Sequence, residues 1–341
     1  MGGRSRPART RSQLVTAKAP PRSDYHPRFL ESLDGRHVIV LGADGFIGSH
    51  VVRTALAAGG HVDALCIKDP WRLRDLAEAE RLRLEFVPEG RWWEASYSDA
   101  LSGALDETAA LVLLAYEPPA SGPEEMRLRH ELDVNAAGTA RIAAAAADSG
   151  CRAVFTSSAD VYGPWHTEPV SESATPRPVT PYAHAKLEAE RLLARSHAVG
   201  SAVSLRLSTV FGLGEDGPRA IPSFVRALAR GEAPVVHGEG ADVRDYVHVS
   251  DVAGAIVNAC VRSLEGERAL NVGSGTGRTT LDILNYVKEA MKIDREPRLE
   301  PANRPRSRLV LEIERARSVL SFAPNPDFAG ALREEVRWLS G

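Results

Sequence analysis

Tyr182 and Lys186 stand four residues apart in PYAHAKLEAERLLARSHA (181 to 198), a stretch whose pattern predicts a long helix. At that spacing the two side chains share one helical face. An ammonium beside a phenol favours the phenolate and draws a group with an ordinary pKa of about 10 towards neutral pH. That is the chemistry of a general base working on a hydroxyl or, in reverse, of an acid working on a carbonyl. Tyr-x-x-x-Lys is also common by chance as a surface helix pair. Ser158 adds specificity: it closes the predicted strand CRAVFTSS (151 to 158) and offers a hydroxyl to the same substrate oxygen. Asp160, two residues on, is a further carboxylate available for acid or base work. Its structural alternative is to accept loop amides just beyond the strand.

These groups need a scaffold, and the chain supplies one. RHVIVLG (36 to 42) predicts a strand and FIGSHVVRTALAAGG (46 to 60) a helix with a Gly-Gly stop, joined by a turn that carries Gly42, Gly45 and Gly48. Glycines there permit a tight turn, close approach of the backbone to a pyrophosphate and close helix-strand packing, while the helix N-terminus supplies amides and dipole. The spacing is GxxGxxG, where the commonest dinucleotide fingerprint is GxGxxG, and glycine-rich strand-to-helix turns also occur for structural reasons alone. Its place at the first strand favours a dinucleotide. Further strands are predicted in HVDALCI (61 to 67), AALVLLA (109 to 115) and AVSLRLS (202 to 208), and a helix in NAAGTARIAAAAADSG (135 to 150). The alternation implies an α/β fold with a doubly wound parallel sheet of Rossmann type.

After Thr209 the alternation becomes irregular. Residues 34–208 are therefore expected to form the dinucleotide-binding domain, and 209–341 mainly a smaller substrate-binding lobe, with a helix at about 251–264 returning to the sheet. FAGALREEVRWL (328 to 339) is amphipathic and is expected to close the lobe. The first 28 residues hold seven Lys or Arg against the single acid Asp24 and no hydrophobic core of a secretory signal. Residues 1–33 are expected to be an unstructured basic tail.

Composition narrows the function classes. With 341 residues, 43% hydrophobic content and a net charge of −3, the chain predicts a soluble protein acting on small molecules, with no nucleic-acid or membrane partner. No apolar run is long enough to span a bilayer. The three cysteines, Cys66, Cys151 and Cys260, lack CxxC spacing and suit a reducing, cytoplasmic setting; no metal is implied.

The segments GADGFIGSH, DVNAAGTARI, SSADVYG, PYAHAK, LRLSTVFG and RDYVHVSDVAGAI resemble those of the extended short-chain dehydrogenase/reductases of the NAD-dependent epimerase/dehydratase family, from about residue 36 to the C-terminus. The resemblance implies a tightly held nicotinamide cofactor, a nucleotide-diphosphate sugar as substrate and a homodimer. It implies that Ser158, Tyr182 and Lys186 are catalytic, with Asp160 as an extra acid or base. Gly42, Asp44, Gly45, Phe46, Ile47, Gly48, Cys66, Lys68, Ser96, Ala115 and Asn135, with Tyr182 and Lys186, would face the cofactor. Ser158, Thr209, Arg244 and Arg304 would face the substrate, Arg244 pairing with the diphosphate through its bidentate fork. The alternative for Arg244 is an internal ion pair with Asp245 or Asp251.

Three positions depart from the family pattern: Cys66 replaces the acid that usually binds the adenosine ribose, Ser96 a small acid of the adenine loop, and Thr209 an asparagine. NAD is the family expectation. The neutral Cys66 followed by Lys68 would also tolerate the 2′-phosphate of NADP, whereas Asp69 could serve a free hydroxyl. Ala159 stands where a 4,6-dehydratase has a second acid, which favours an epimerase working through a transient 4-keto sugar. A dehydratase or decarboxylase using Asp160, an NADPH-dependent ketoreductase and, outside enzymes, a dinucleotide-sensing protein are the alternatives.

Overall fold

The computed structural model describes residues 20, 23–103, 105–197, 201–302 and 306–341. The chain begins with β1 (His37–Leu41), turns through glycine into α1 (Phe46–Ala57), and continues through β2 (His61–Cys66), β3 (Leu82–Phe86), α2 (Ala95–Ser102) and β4 (Ala109–Leu113). A helical run of α3 (Glu124–His130), a π turn (Glu131–Ala136) and α4 (Ala137–Asp148) leads to β5 (Arg152–Ser158), and α5 (Pro181–Ser196) to β6 (Ala202–Leu207). Then come β7 (Thr209–Phe211), α6 (Ala220–Ala229), β8 (Val235–His237), β9 (Val243–His248), α7 (Val249–Val261) and β10 (Ala269–Val272). The last elements are β11 (Gly277–Thr279), α8 (Thr280–Met291), β12 (Arg298–Glu300), β13 (Arg308–Leu309), α9 (Glu314–Leu320) and α10 (Phe328–Ser340).

Seven strands form one parallel sheet in the order β10-β6-β5-β4-β1-β2-β3. The crossover direction reverses between β1 and β4. This is the switch point at which doubly wound sheets leave a crevice beyond their carboxyl ends. Runs such as AALVL in β4 are buried at every position because helices cover both faces. Val38 and Val40 of β1 pack with Val51 and Val52 of α1 and with α7; Ile39 and Leu41 pack on the opposite side with Ile142 of α4 and Leu193 of α5. The period of two thus divides each strand between two cores.

A third core gathers Phe211, Phe224, Tyr246, Ile283, Phe328 and Leu332 from β7, α6, β9, α8 and α10. It supports a small sheet in which β9 pairs with β7, β11 and β13. This layer faces the carboxyl ends of β5 and β6 and so forms the far wall of the crevice. The helix expected at about 251–264 is α7, buried along its length. The main sheet gains its outer strand, β10, only after the chain has made β7 to β9.

The unstructured tail expected up to residue 33 is corrected for its last part. From Ser23 the chain is docked: the Ser23 hydroxyl and Asp24 amide each donate to the Glu334 carboxylate at 2.8 Å, and the Tyr25 ring meets the His248 ring at a tilt, their centroids 5.3 Å apart. The Glu31 amide donates to Asn258 at 2.9 Å, and Leu33 is fully buried. Single aromatic and proline anchors have no periodicity, so the sequence pattern does not reveal this strap. Residues 1–19, 21 and 22 lie outside the described residues.

Candidate active site

Strand β1 is followed by Gly42, whose φ of +92° lies in the region that glycine tolerates. A Cβ at Gly48 would stand 2.1 Å from the Gly42 carbonyl oxygen, and one at Gly42 would stand 2.9 Å from the Ala115 amide nitrogen. Glycine at both places lets the turn, α1 and the loop after β4 lie against one another. Gly45 is the N-cap of α1 and provides no side-chain cap, so the first amides of the helix remain available to an anion. Beside this turn opens a cleft of about 630 Å³, lined by Gly42, Gly45, Phe46, Ile47 and Gly48 on one side and by Thr209, Arg219, Arg244 and Tyr246 on the other. The bare helix start and glycine cradle fit the pyrophosphate of a dinucleotide.

Ser158, Asp160, Tyr182 and Lys186 all line this cleft. Thr180 caps α5 by accepting from the Ala183 amide, and Pro181 occupies the first turn, which sets Tyr182 one residue inside the helix. Further along α5, Glu190 accepts from Nε and Nη2 of Arg206 of β6 and from the Ser157 hydroxyl of β5, all buried, so the helix is fixed against β5, which ends at Ser158, and β6. The Ser158 hydroxyl accepts from the Asp160 amide at 3.2 Å and lies in the same cleft as the Tyr182 phenol, whose pKa it lowers. Lys186 donates to the Thr156 carbonyl at 2.8 Å, and its Nζ lies 5.7 Å from the centre of the Tyr182 ring.

The electrostatics differ from the simple picture of a phenolate made by lysine. Desolvation, and next the Asp160 charge, push Tyr182 up to about 12; Arg219 and the Ser158 hydroxyl act the other way. Desolvation also lowers Lys186 to about 8, against the pull of Glu131 and Glu190. In the protein alone Tyr182 is therefore a neutral phenol at neutral pH. A positive charge placed in the cleft is what would draw it down.

Arg244 pairs with neither Asp245 nor Asp251. Its Nη1 reaches Asp160 Oδ1 at 3.4 Å across the cleft, while Asp245 accepts from the amides of Ser274, Gly275 and Leu311, and Asp251 from that of Asn325. Asp160 thus spends its carboxylate on a cation and not on the loop amides of the alternative reading. Thr209 opens β7 at the cleft wall.

Other expected residues sit elsewhere. Cys66 is fully buried, with burial pushing its thiol up to about 12 and its Sγ donating to Ala64 O, so its side chain faces the core. Ser96 is exposed in the first turn of α2, and Lys68 is exposed beyond β2. Asn135 is buried, its amide holding both the N–H and the carbonyl of Glu117 at 2.8 and 2.9 Å. Ala115 and Asn135 border a small separate cavity that also touches Tyr182 and Lys186. Asp44 directs its carboxylate to the amides of Ile67 and Lys68 at 2.8 and 3.0 Å. Arg304 lies outside the described residues.

The structure adds residues that sequence reasoning did not single out. Tyr116 meets Tyr182 edge-on at 5.5 Å and donates to buried Glu131 at 2.6 Å. Arg219 enters the cleft wall from the loop before α6. Neither carried a motif or period that could have flagged it.

A glycine turn at the switch point of a doubly wound sheet, facing Ser158, Tyr182 and Lys186, defines the short-chain dehydrogenase/reductase class of enzymes. Within that class the chain belongs to the NAD dependent epimerase/dehydratase family, whose model matches residues 38–273. It is 32% identical to UDP-glucose 4-epimerase of Mycolicibacterium smegmatis, over 88% of this chain and 97% of that one. Among solved structures it resembles MoeE5 in complex with UDP-glucose and NAD (28% identity, TM-score 0.74, 89% of this chain and 98% of that one). It also resembles DesIV, the dTDP-glucose 4,6-dehydratase of Streptomyces venezuelae with NAD and TYD bound (25%, TM-score 0.76, 89% and 96%).

Proposed function

We propose that the protein is an NAD-dependent 4-epimerase of a nucleoside-diphosphate sugar, with Ser158, Tyr182 and Lys186 as its catalytic residues. The observation that carries this reading is the meeting of Tyr182, Ser158 and Lys186 with the glycine turn in one cleft, next to a lobe that presents Arg219 and Arg244. Two guanidinium groups suit a diphosphate. Ala159 leaves the site without the second acid that a 4,6-dehydratase places there, and Asp160 is held by Arg244. The relatives named above bind or act on UDP- and dTDP-sugars, which supports the substrate class.

In this reading Tyr182 removes the proton of the sugar 4-hydroxyl while Ser158 holds the same oxygen. The bound nicotinamide supplies the hydride acceptor and, later in the cycle, the donor. Lys186, anchored on Thr156 O, stands behind Tyr182 and offers its charge to the ribose and to the phenolate. Rotation of the 4-keto sugar within the cleft would present the other face of C4 for the hydride's return, while Tyr182 gives its proton back to the sugar 4-oxygen.

The test is to denature the purified protein, identify the released dinucleotide by mass spectrometry, and follow UDP-glucose and UDP-galactose by NMR. Near-stoichiometric NAD together with interconversion of 4-epimers is the expected result. An empty protein that consumes NADPH would make it a reductase, and loss of water to a 4-keto-6-deoxy sugar a dehydratase. Tyr182→Phe is expected to lower kcat by about 10²- to 10⁴-fold while still releasing NAD on denaturation.

A further inference from the structure

At the adenosine end Cys66 faces the core, so another group must meet the ribose. In doubly wound dinucleotide folds an acid at the end of the second strand takes the ribose 2′-hydroxyl, or a cation nearby takes a 2′-phosphate. Here the end of β2 does hold a carboxylate, but it comes from the glycine turn. Asp44 reaches across from β1, and its two oxygens accept the amides of Ile67 and Lys68, the first two residues after β2, at 2.8 and 3.0 Å. Its own carbonyl accepts from buried Arg72 at 3.3 Å, and Arg72 is in turn committed to Gly214 O and, at 2.7 Å, to Asp216. Asp44 is 8% exposed and held in place from both sides.

Two adjacent backbone N–H groups pointing outward are an anion site, and a 2′-phosphate would need such donors. Asp44 fills them with its own negative charge. A carboxylate has about four lone-pair sites; two are used by the amides, and the others can accept ribose hydroxyls. A phosphate placed at the same point would meet a like charge and find the amides taken. Lys68, exposed just after β2, would favour a phosphate, whereas the Asp44 carboxylate on the neighbouring amides opposes one.

We infer that Asp44 is the residue that selects the unphosphorylated adenosine ribose, so that the relocated carboxylate does from the glycine turn what an acid at position 66 would have done. This rests on the dinucleotide reading of the cleft and sharpens it to NAD over NADP.

The test is calorimetric titration of the protein, stripped of copurified dinucleotide, with NAD⁺ and NADP⁺, for the wild type, Asp44→Asn and Asp44→Asn/Lys68→Ala. The wild type is expected to bind NAD⁺ more tightly by on the order of 10²-fold. Asp44→Asn is expected to narrow that ratio by about tenfold or more, through weaker NAD⁺ and stronger NADP⁺ binding, and the double variant to lose the NADP⁺ gain. Equal affinity of the wild type for the two, or an unchanged ratio in folded Asp44→Asn, would overturn the inference while leaving the dinucleotide reading intact. Binding of neither would remove both. Equal wild-type affinity overturns the inference even where a variant does not fold.

Discussion

At the scale of single residues, the cleft is controlled by charges that oppose one another. Asp160 raises the pKa of Tyr182 and Arg219 lowers it, while Lys186, the expected activator, is itself pulled down by desolvation. Asp160→Asn removes an anion beside the phenol and so favours the phenolate. In the proposed reaction Tyr182 acts deprotonated, so the acid limb of the kcat/KM profile is expected to move to lower pH in this variant. A limb unmoved, or moved upward, would show that Asp160 does not act on Tyr182. Arg219, Glu131, Lys186 and the Arg244 partner of Asp160 stay in place in both proteins, so the difference reports Asp160. Much of this residue set is legible in the sequence, because Ser158, Tyr182, Lys186 and the glycines sit at fixed local spacings on one strand, one helix and one turn. The Asp160–Arg244 contact joins residues 84 positions apart, and no local pattern encodes it.

At the scale of elements, helix α5 is the part that must not move. It carries Tyr182 and Lys186 at its start and is tied down by Glu190, whose carboxylate meets Arg206 of β6 at 2.7 Å with both side chains 8% exposed. Arg206 also donates to the Tyr162 hydroxyl at 2.8 Å, which in turn bonds Asn271 of β10. Glu190→Ala strands a buried guanidinium, and the expected cost is about 3–5 kcal/mol of unfolding free energy, measured by urea denaturation. A change below about 1 kcal/mol would mean that the pair behaves as an exposed one. The helix itself was readable from its period. Strand β3, LRLEF, was not, because it lies at the sheet edge with no residue fully buried and shows little of the hydrophobic run that marks inner strands.

At the scale of the whole molecule, the lobe is locked to the crevice through buried acids and bases. Buried Glu335 of α10 acts electrostatically on buried Glu215, from the loop after β7 whose Leu213 and Gly214 carbonyls hold His50 and Arg72 beside the glycine turn. Burial pushes Glu215 up to about 7, and burial followed by the Glu215 charge pushes Glu335 well above its ordinary value. A carboxyl raised in the folded state binds its proton more tightly there than in the unfolded chain. The stability it contributes is therefore present at low pH and is lost as pH rises from the ordinary 4.5 towards 7. Glu335→Gln keeps a neutral side chain at every pH. Its melting temperature relative to the wild type is expected to increase between pH 5 and pH 8, as followed by calorimetry; a pH-independent difference would rule out titration of the pair. Buried His50 and His248, lowered to about 4 and 3, act on the acid side, where stability falls as pH drops below 6.5 in both proteins, so the comparison cancels them.

The sequence alone determined the class of fold and singled out Ser158, Tyr182 and Lys186 as the group for the proposed catalysis. Strand and helix periods, glycines that must turn, and a Tyr-x-x-x-Lys spacing are all local consequences of backbone geometry, and a local window contains them. The tertiary structure decided what lies between the elements. It set Asp44 on the amides beyond β2, turned Cys66 inward, paired Arg244 with Asp160, returned β10 to the sheet and docked the strap from Ser23 onto α7 and α10. The physical reason is the same in each case. Hydrogen bonds, ion pairs and burial depend on which groups the packed chain brings within a few ångströms, and residues distant in sequence have no spacing rule that fixes it.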